Sequence, residues 1–144
     1  IYIGEMPGKV LPEAFTCFTL SLDNLSELTK RFGYTVGDGV LKDFAGLVQL
    51  MGDTEGMRGY NGVGRFVVFF EECSSKKAAA MIRILDNQVE EYNSLNPEYP
   101  IRYTAAWATT EETDTYEIRE LLRLSQKKWK QMEKEKKDKT EEET

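Results

Sequence analysis

Apolar residues follow two different periods along the chain, and the changes of period mark the predicted elements. The run from Ala14 to Leu22 is rich in β-branched and aromatic residues, which predicts a buried strand. Asp23 or Asn24 follows this run and can cap a short helix, because both side chains accept hydrogen bonds from orphan backbone N–H groups. Gly33 is expected to end that helix.

A second helix and a hairpin come next. Apolar side chains recur at helical spacing from Val40 to Met51, so we expect a helix that begins near the Gly37-Asp38 pair. Met57–Asn61 and Arg65–Phe70 have strand-like composition and enclose a glycine-rich turn, which predicts a β-hairpin. The second of these strands is apolar almost throughout, so it should lie inside the sheet.

The second half of the chain predicts two helices separated by a strand. Ser74 or Ser75 can cap a helix that runs to about Leu95, and Arg102–Ala108 has the composition of a strand. The last helix should begin near Tyr116. The resulting order, β-α-α-β-β-α-β-α, places a hairpin between helical crossovers. It indicates an α+β fold with a split βαβ arrangement, in which helices cover an antiparallel sheet.

The pattern shows no boundary between two domains. We expect residues 1–13 to lead into a single domain at residues 14–134, which is long enough to bury a core. Residues 135–144 alternate acidic and basic side chains without apolar anchors. This composition predicts a charged, disordered tail.

The composition excludes several classes of site. The 144 residues contain no histidine, which removes histidine-based metal centres, general bases and pH switches. Cys17 and Cys73 match no metal-binding spacing, so we expect structural thiols in a reducing compartment. No apolar run approaches the length that spans a membrane. We therefore expect a cytoplasmic domain, which could also be the cytoplasmic part of a membrane-anchored protein.

The net charge is −6, from 25 acidic and 19 basic residues. This excess of acid argues against a nucleic-acid binder. The lysines between Lys127 and Lys139 could suggest binding to an anionic surface, but Glu133, Glu135 and Asp138 are interleaved with them. We therefore expect a solvated helix end, and neither nucleic-acid binding nor membrane contact by this domain.

Several motifs together resemble the GGDEF domain of diguanylate cyclases. They are the stretch from Phe18 to Leu41 with its Gly37-Asp38 pair, the strand Arg102–Ala108, the last helix and the turn Gly62-Val63-Gly64-Arg65-Phe66. The resemblance covers about residues 15–134 and implies a palm-like α+β fold with a ferredoxin-like core. Members of this family join two GTP molecules across a dimer of domains, with Mg²⁺ assisting the transfer.

The metal ligands that the resemblance implies are missing from this sequence. The acid at the end of the first strand is Ser21 here, and the acid in the middle of the signature is Gly64. The acid after it corresponds to Arg65, which replaces a negative charge by a positive one. A carbonyl ligand aligns with Leu22 and survives, because the backbone supplies it. Mg²⁺ prefers carboxylate, phosphate and water oxygens, so the resemblance implies a degenerate domain with no metal cofactor.

The implied nucleotide contacts are also reduced. The residue that would contact guanine aligns with Thr29, which keeps a hydroxyl and loses an amide, and its acidic partner aligns with Asp38. Asp38 is also open to helix capping, and Arg65 can either bind a phosphate or remain a solvated surface residue. Gly62 and Gly64 could admit a close nucleotide, or they could serve a tight turn with positive φ.

We therefore interpret the chain as a catalytically inactive GGDEF-like regulatory domain of a larger bacterial cyclic-dinucleotide signalling protein. Its expected partners are the neighbouring domains of that protein, a second copy in a homodimer, and GTP or a related nucleotide bound without metal. The alternative is an active diguanylate cyclase that makes cyclic di-GMP from GTP with atypical ligands.

Overall fold

The computed structural model describes residues 14–51, 57–60, 64–71, 73–112 and 117–143, with side chains outside 57–60 and 140–143. The elements follow the predicted order β-α-α-β-β-α-β-α, with one additional 3₁₀ turn at Thr110–Glu112. The strands are β1 (Phe15–Leu22), β2 (Met57–Tyr60), β3 (Arg65–Glu71) and β4 (Tyr103–Thr109). The helices are α1 (Leu25–Phe32), α2 (Tyr34–Gln49), α3 (Ser75–Leu95) and α4 (Ile118–Glu143).

The four strands form one sheet in the order β2-β3-β1-β4. All neighbouring strands are antiparallel, and β2 pairs with β3 from Met57 opposite Phe69 to Tyr60 opposite Phe66. The predicted hairpin pairing and the internal position of β3 are therefore confirmed. Residues 61–63 of the predicted turn lie outside the described residues.

Strand β1 lies inside the sheet, and all eight of its residues are buried. One face carries Phe18, Leu20 and Leu22, which pack in the large apolar cluster with α1, α2 and α3. The other face carries Phe15 and Cys17, which pack against α4. Because both faces of β1 are covered, apolar residues occur on each face, and the polar residues Thr16, Thr19 and Ser21 are buried with them.

Helix α4 covers its face of the sheet through both apolar and polar contacts. Ser125 is fully buried, and its hydroxyl lies 2.8 Å from the hydroxyl of Thr19 and 3.3 Å from Sγ of Cys17. Burial raises the pKa of the Cys17 thiol to about 12, so it remains protonated at neutral pH. Cys17 and Cys73 are both free buried thiols, as expected from their spacing.

The α1–α2 junction corrects one predicted helix start. Helix α2 begins at Tyr34 rather than near Gly37 and Asp38. Gly33 has φ of 95° and ψ of 165°, a conformation that is nearly restricted to glycine, so a single residue separates the two helices. The first turn of α2 is then occupied by residues 34–37, with the N–H of Gly37 bonded to the carbonyl of Gly33.

Two predicted caps have different outcomes. Ser74 caps α3, because its hydroxyl accepts a hydrogen bond from the backbone N–H of Lys77 at 3.2 Å. Asn24 occupies the N-cap position of α1, but its side chain makes no capping bond. It instead joins α1 to the segment before β4, since its amide donates to the Pro100 carbonyl and its oxygen accepts from the Arg102 N–H.

The charged segment from residue 135, expected to be a disordered tail, continues α4 in the described backbone, which is helical to Glu143. Side-chain pairs one turn apart stabilise this part of α4, including Lys137 with Glu133 at 3.6 Å and Gln131 with Glu135 at 3.2 Å. Lys136 also anchors the helix to the sheet, because its ammonium group donates to the Tyr103 carbonyl at 2.6 Å. None of the helices in the described part of the chain is long and apolar enough to cross a membrane.

The conformation of Gly33 gives the first testable prediction. Gly33→Ala should lower the free energy of unfolding by about 1–3 kcal/mol, because alanine is strained at this φ and ψ. A Cβ at Gly33 would meet no atom within 4 Å, so steric overlap would not contribute. Urea denaturation followed by circular dichroism measures the change.

Gly39→Ala is the matched control for this prediction. Gly39 lies within α2 and is equally open, since a Cβ there would also meet no atom within 4 Å. Alanine should therefore stabilise the helix by about 0.5–1 kcal/mol. Equal effects of the two substitutions would contradict the role of backbone conformation at Gly33.

Candidate functional site

The candidate site lies where β1 ends beside the starts of β3 and β4. The strand register places Ser21 between Arg65 on β3 and Thr104 on β4. The N–H of Leu22 donates to the carbonyl of Gly64 at 2.8 Å, and this hydrogen bond joins the end of β1 to the residue before β3. The structure thus brings together three of the positions that the sequence singled out, Ser21, Gly64 and Arg65.

The hydroxyl of Ser21 is held by two hydrogen bonds. It donates to Oδ1 of Asp23 at 2.6 Å and accepts from the indole Nε1–H of Trp129 at 2.8 Å. Ser21 is 5% exposed and Trp129 is 2% exposed, so both groups are removed from water. A buried indole N–H needs an acceptor, and Ser21 supplies it.

The carboxylate of Asp23 extends this arrangement to β4. Its second oxygen, Oδ2, accepts a hydrogen bond from the hydroxyl of Thr104. Lys136 Nζ in turn donates to the Thr104 hydroxyl at 3.0 Å. We call Ser21, Asp23, Thr104, Trp129 and Lys136 the Ser21 network. Trp129 and Lys136 are about two turns apart on α4, so the helix contacts this end of the sheet at two points, on β1 through Trp129 and on β4 through Lys136.

Arg65 lies against the other side of the same tryptophan. The centre of its guanidinium group is 4.2 Å from the centroid of the Trp129 ring, within the range of a cation–π interaction. The side chain is exposed, and the structure gives it no ion pair among the residues that it describes. A cation–π contact does not use the N–H donors of the guanidinium group in a hydrogen bond, so these donors can also bind an anion.

Gly64 has the positive φ that a turn residue requires, with a value of 80°. A Cβ at this position would lie 3.4 Å from the Leu22 carbonyl oxygen and 3.4 Å from Cδ2 of Leu25. The expected positive φ is therefore confirmed at Gly64, and a larger side chain there would be both strained and crowded. Gly62 and Val63 of the same signature lie outside the described residues.

Phe66 closes the signature and belongs to the core. Its ring packs edge-on against Phe44 of α2, with the centroids 5.7 Å apart. This contact ties the start of β3 to the helical layer. Phe66 therefore contributes to the position of the site rather than to its polar surface.

The two predicted guanine contacts lie on α1 and α2. The hydroxyl of Thr29 donates to the Leu25 carbonyl at 2.9 Å, and it is so close to Gly37 that a Cβ there would lie 2.3 Å away. Asp38 forms an ion pair with Lys42 at 3.1 Å. Capping by Asp38 is wrong, because α2 begins four residues earlier. Among the described residues, no hydrogen bond or ion pair joins Thr29 or Asp38 to Arg65.

The oxygen atoms at this site are a poor match for Mg²⁺. Such an ion takes six ligands in near-octahedral geometry, with carboxylates and phosphates preferred. The site offers the Leu22 carbonyl, the Ser21 hydroxyl and the Asp23 carboxylate, and the last two are bonded to each other. Within the described residues, no group of three or more acidic or cysteine side chains could hold a metal ion.

A sequence profile of the family described as "Diguanylate cyclase, GGDEF domain" matches residues 9–139. This match spans most of the chain, and the chain therefore belongs to the GGDEF family. The family assignment made from the sequence motifs is confirmed. No curated protein sequence matches the chain significantly.

Solved structures show the same fold. The active GGEEF domain of a diguanylate cyclase from Vibrio cholerae is 19% identical, with a TM-score of 0.75 over 85% of this chain and 78% of that chain. An EAL/GGDEF domain protein from M. capsulatus is 14% identical, with a TM-score of 0.68 over 86% of this chain and 81% of that chain.

A third similar structure is the GGDEF domain of DgcB from Caulobacter crescentus in complex with c-di-GMP. It is 14% identical, with a TM-score of 0.65 over 78% of this chain and 68% of that chain. At these levels of identity the likeness establishes the fold. The predicted α+β, GGDEF-like fold class is confirmed.

Three members of the Ser21 network were not identified as site residues from the sequence. No motif in the sequence singles out Trp129, Thr104 or Lys136, and Trp129 is buried in the core. Trp129 and Thr104 are 108 and 83 positions from Ser21, so no local pattern could have joined them. Asp23 was expected to cap or brace α1, but its carboxylate binds Ser21 and Thr104 instead.

A double-mutant cycle tests the bond between Ser21 and Trp129. Ser21→Ala should lower the free energy of unfolding by about 1–3 kcal/mol, because it leaves a buried indole N–H without an acceptor. Trp129→Phe removes that N–H. The double variant should therefore lose about 0.5–1.5 kcal/mol less than the sum of the single variants. Urea denaturation gives all four values.

Thr16→Ala provides the matched control for this cycle. Its hydroxyl is also buried on β1, and it donates to the Cys73 carbonyl at 2.6 Å. Thr16 is about 17 Å from Ser21 along the strand, so its effect should add to that of Trp129→Phe. Additivity in the Ser21 cycle as well would contradict the hydrogen bond.

Proposed function

We propose that this GGDEF domain does not synthesise cyclic di-GMP and acts as a regulatory domain of a larger bacterial signalling protein. The observation that carries the proposal is the state of the Ser21 hydroxyl. It lies at the position where the family resemblance implies a metal-binding acid, and it is bonded on both sides, to Asp23 and to Trp129. To bind here, a metal ion would have to break these buried hydrogen bonds, and in exchange it would gain only a weak, neutral hydroxyl ligand.

The charge of Arg65 supports the same conclusion. Metal-assisted transfer between two GTP molecules depends on divalent cations that neutralise the developing phosphate charge. Arg65 pairs directly with Ser21 across β1 and β3, and its guanidinium group is fixed against Trp129. A fixed positive charge at this position repels a divalent cation, whereas it attracts a phosphate.

Regulation can follow one of two routes in this proposal. In the first, Arg65 binds a phosphate of GTP or a related nucleotide without metal, and Thr29 and Asp38 contact the guanine base. The contact with Trp129 supports this route, because it holds the guanidinium group at the start of β3 without using its N–H donors in a hydrogen bond. In the second, the domain acts only through contacts with neighbouring domains or a second copy. We expect either route to operate in the cytoplasm.

One observation favours the alternative of an active cyclase with atypical ligands. Asp23 follows Ser21 by two residues, directly after β1, and its carboxylate lies 2.6 Å from the Ser21 hydroxyl. A rearrangement that released Asp23 from Ser21 and Thr104 would return one carboxylate to the metal position. This alternative then requires Asp23 for activity.

The absence of synthesis is tested with GTP and either Mg²⁺ or Mn²⁺. We expect no cyclic di-GMP above the blank when the products are separated by chromatography. The active GGEEF domain from Vibrio cholerae serves as the positive control. Product that disappears in Asp23→Asn would overturn the proposal in favour of the alternative.

Metal-independent nucleotide binding is tested by calorimetry with GTP in the presence of EDTA. Arg65→Gln should weaken binding about 10- to 100-fold, because a charge-assisted hydrogen bond contributes about 1.5–3 kcal/mol. Arg83→Gln removes the same charge from an exposed position on α3 and should leave binding unchanged. No heat at millimolar GTP would exclude the nucleotide route and leave protein contact as the route.

A further inference from the structure

Helix α4 carries a continuous line of basic residues on its outer side. The line contains Arg119, Arg123, Lys127, Lys130, Lys134 and Lys137, and all six are exposed. Successive members are three or four positions apart, the spacing that keeps side chains on one face of a helix. We call this line the basic stripe. It is about 27 Å long, at 1.5 Å per residue.

The basic stripe faces away from the domain. At about 100° per residue, its six members fall within a sector of about 80° around the helix axis. The buried residues of α4, among them Leu121, Ser125 and Trp129, lie on the opposite side. The stripe therefore points outward from the layer that covers the sheet.

Between Arg119 and Lys137, no acidic residue of α4 lies within this sector. Between the ends of the stripe the helix contains Glu120, Glu133 and Glu135, and their positions around the axis fall outside it. Glu120 and Glu133 lie just outside the sector. Glu120 forms an ion pair with Arg123 at 2.6 Å, and Glu133 forms one with Lys137 at 3.6 Å. Acids that alternate with lysines in the sequence are thus largely separated from them around the helix.

Four members of the stripe form no ion pair with any residue that the structure describes. They are Arg119, Lys127, Lys130 and Lys134. They retain a concentrated positive charge although the whole chain has a net charge of −6. The acidic residues of α3 belong to the layer on the opposite face of the sheet from α4, and salt screens charges that are more than about 8 Å apart.

We propose that the basic stripe docks this domain on an anionic lipid surface. The helix presents the six charges on one face, and all of them can meet a flat surface at the same time. Clusters of four to eight basic residues on one helix face are typical of binding to anionic headgroups. This proposal replaces the expectation of no membrane contact, because that expectation summed charges that the fold separates.

The composition of the stripe favours lipid over nucleic acid. The sector contains no aromatic side chain on which an unpaired base could stack. It also contains no amide side chain between the basic residues that could read a base edge. The absence of apolar residues from the sector means that docking occurs at the level of the headgroups, without insertion.

Vesicle sedimentation tests the proposal with the whole chain. The protein should sediment with vesicles of phosphatidylcholine and phosphatidylserine, and remain in solution with phosphatidylcholine alone. Lys127→Gln combined with Lys130→Gln should lower the partition coefficient about 30-fold, which corresponds to about 1 kcal/mol for each lysine near the surface. Rising salt should abolish binding.

Lys76→Gln combined with Lys77→Gln is the matched control. It removes the same two charges from exposed positions at the start of α3, on the other side of the sheet, and should leave the partition coefficient unchanged. Equal losses in the two variants, or no sedimentation of the wild type, would overturn the proposal. Binding of the wild type to duplex DNA in preference to the anionic vesicles would also overturn it.

Discussion

The indole N–H of Trp129 donates to the hydroxyl of Ser21, and the arrangement of the whole site depends on this buried bond. It fixes the hydroxyl so that its own proton points to Asp23. It also holds the indole ring in the position where Arg65 stacks on it. A longer, charged side chain at Ser21 would have to displace the ring, because both residues are almost fully buried. We therefore propose that the site suits an anion better than a cation.

The two faces of helix α4 differ: one packs on the sheet, and we propose that the other docks on a lipid surface. Its buried face supplies apolar contacts to the sheet and two members of the Ser21 network, so packing and site geometry are coupled. Its outer face is nearly all polar, and no structural requirement explains why basic residues are grouped on one side of it. Because the Ser21 network holds one face of the helix against the sheet, the basic stripe on the other face keeps a defined position. The proposed docking surface therefore rests on the same packing that closes the site.

The sequence predicted the elements more reliably than the site. Strand and helix periods are local, so the order of elements and the cap at Ser74 followed from short stretches of residues. The start of α2 was missed because a single glycine with positive φ at Gly33 replaces a linker. The network around Ser21 joins residues more than 80 positions apart, which only the sheet register and the packing of α4 bring together. Net charge says nothing about the basic stripe for a related reason, since a sum over the chain ignores which face each charge occupies.

The central claim is that the residues around Ser21 do not hold a divalent metal ion. Electron paramagnetic resonance of Mn²⁺ measures this directly, because the signal of the free aqueous ion falls when the ion is bound. We predict that adding the protein with GTP reduces the free-ion signal no more than GTP alone. A further reduction that requires the protein, and that is lost in Asp23→Asn, would contradict the account.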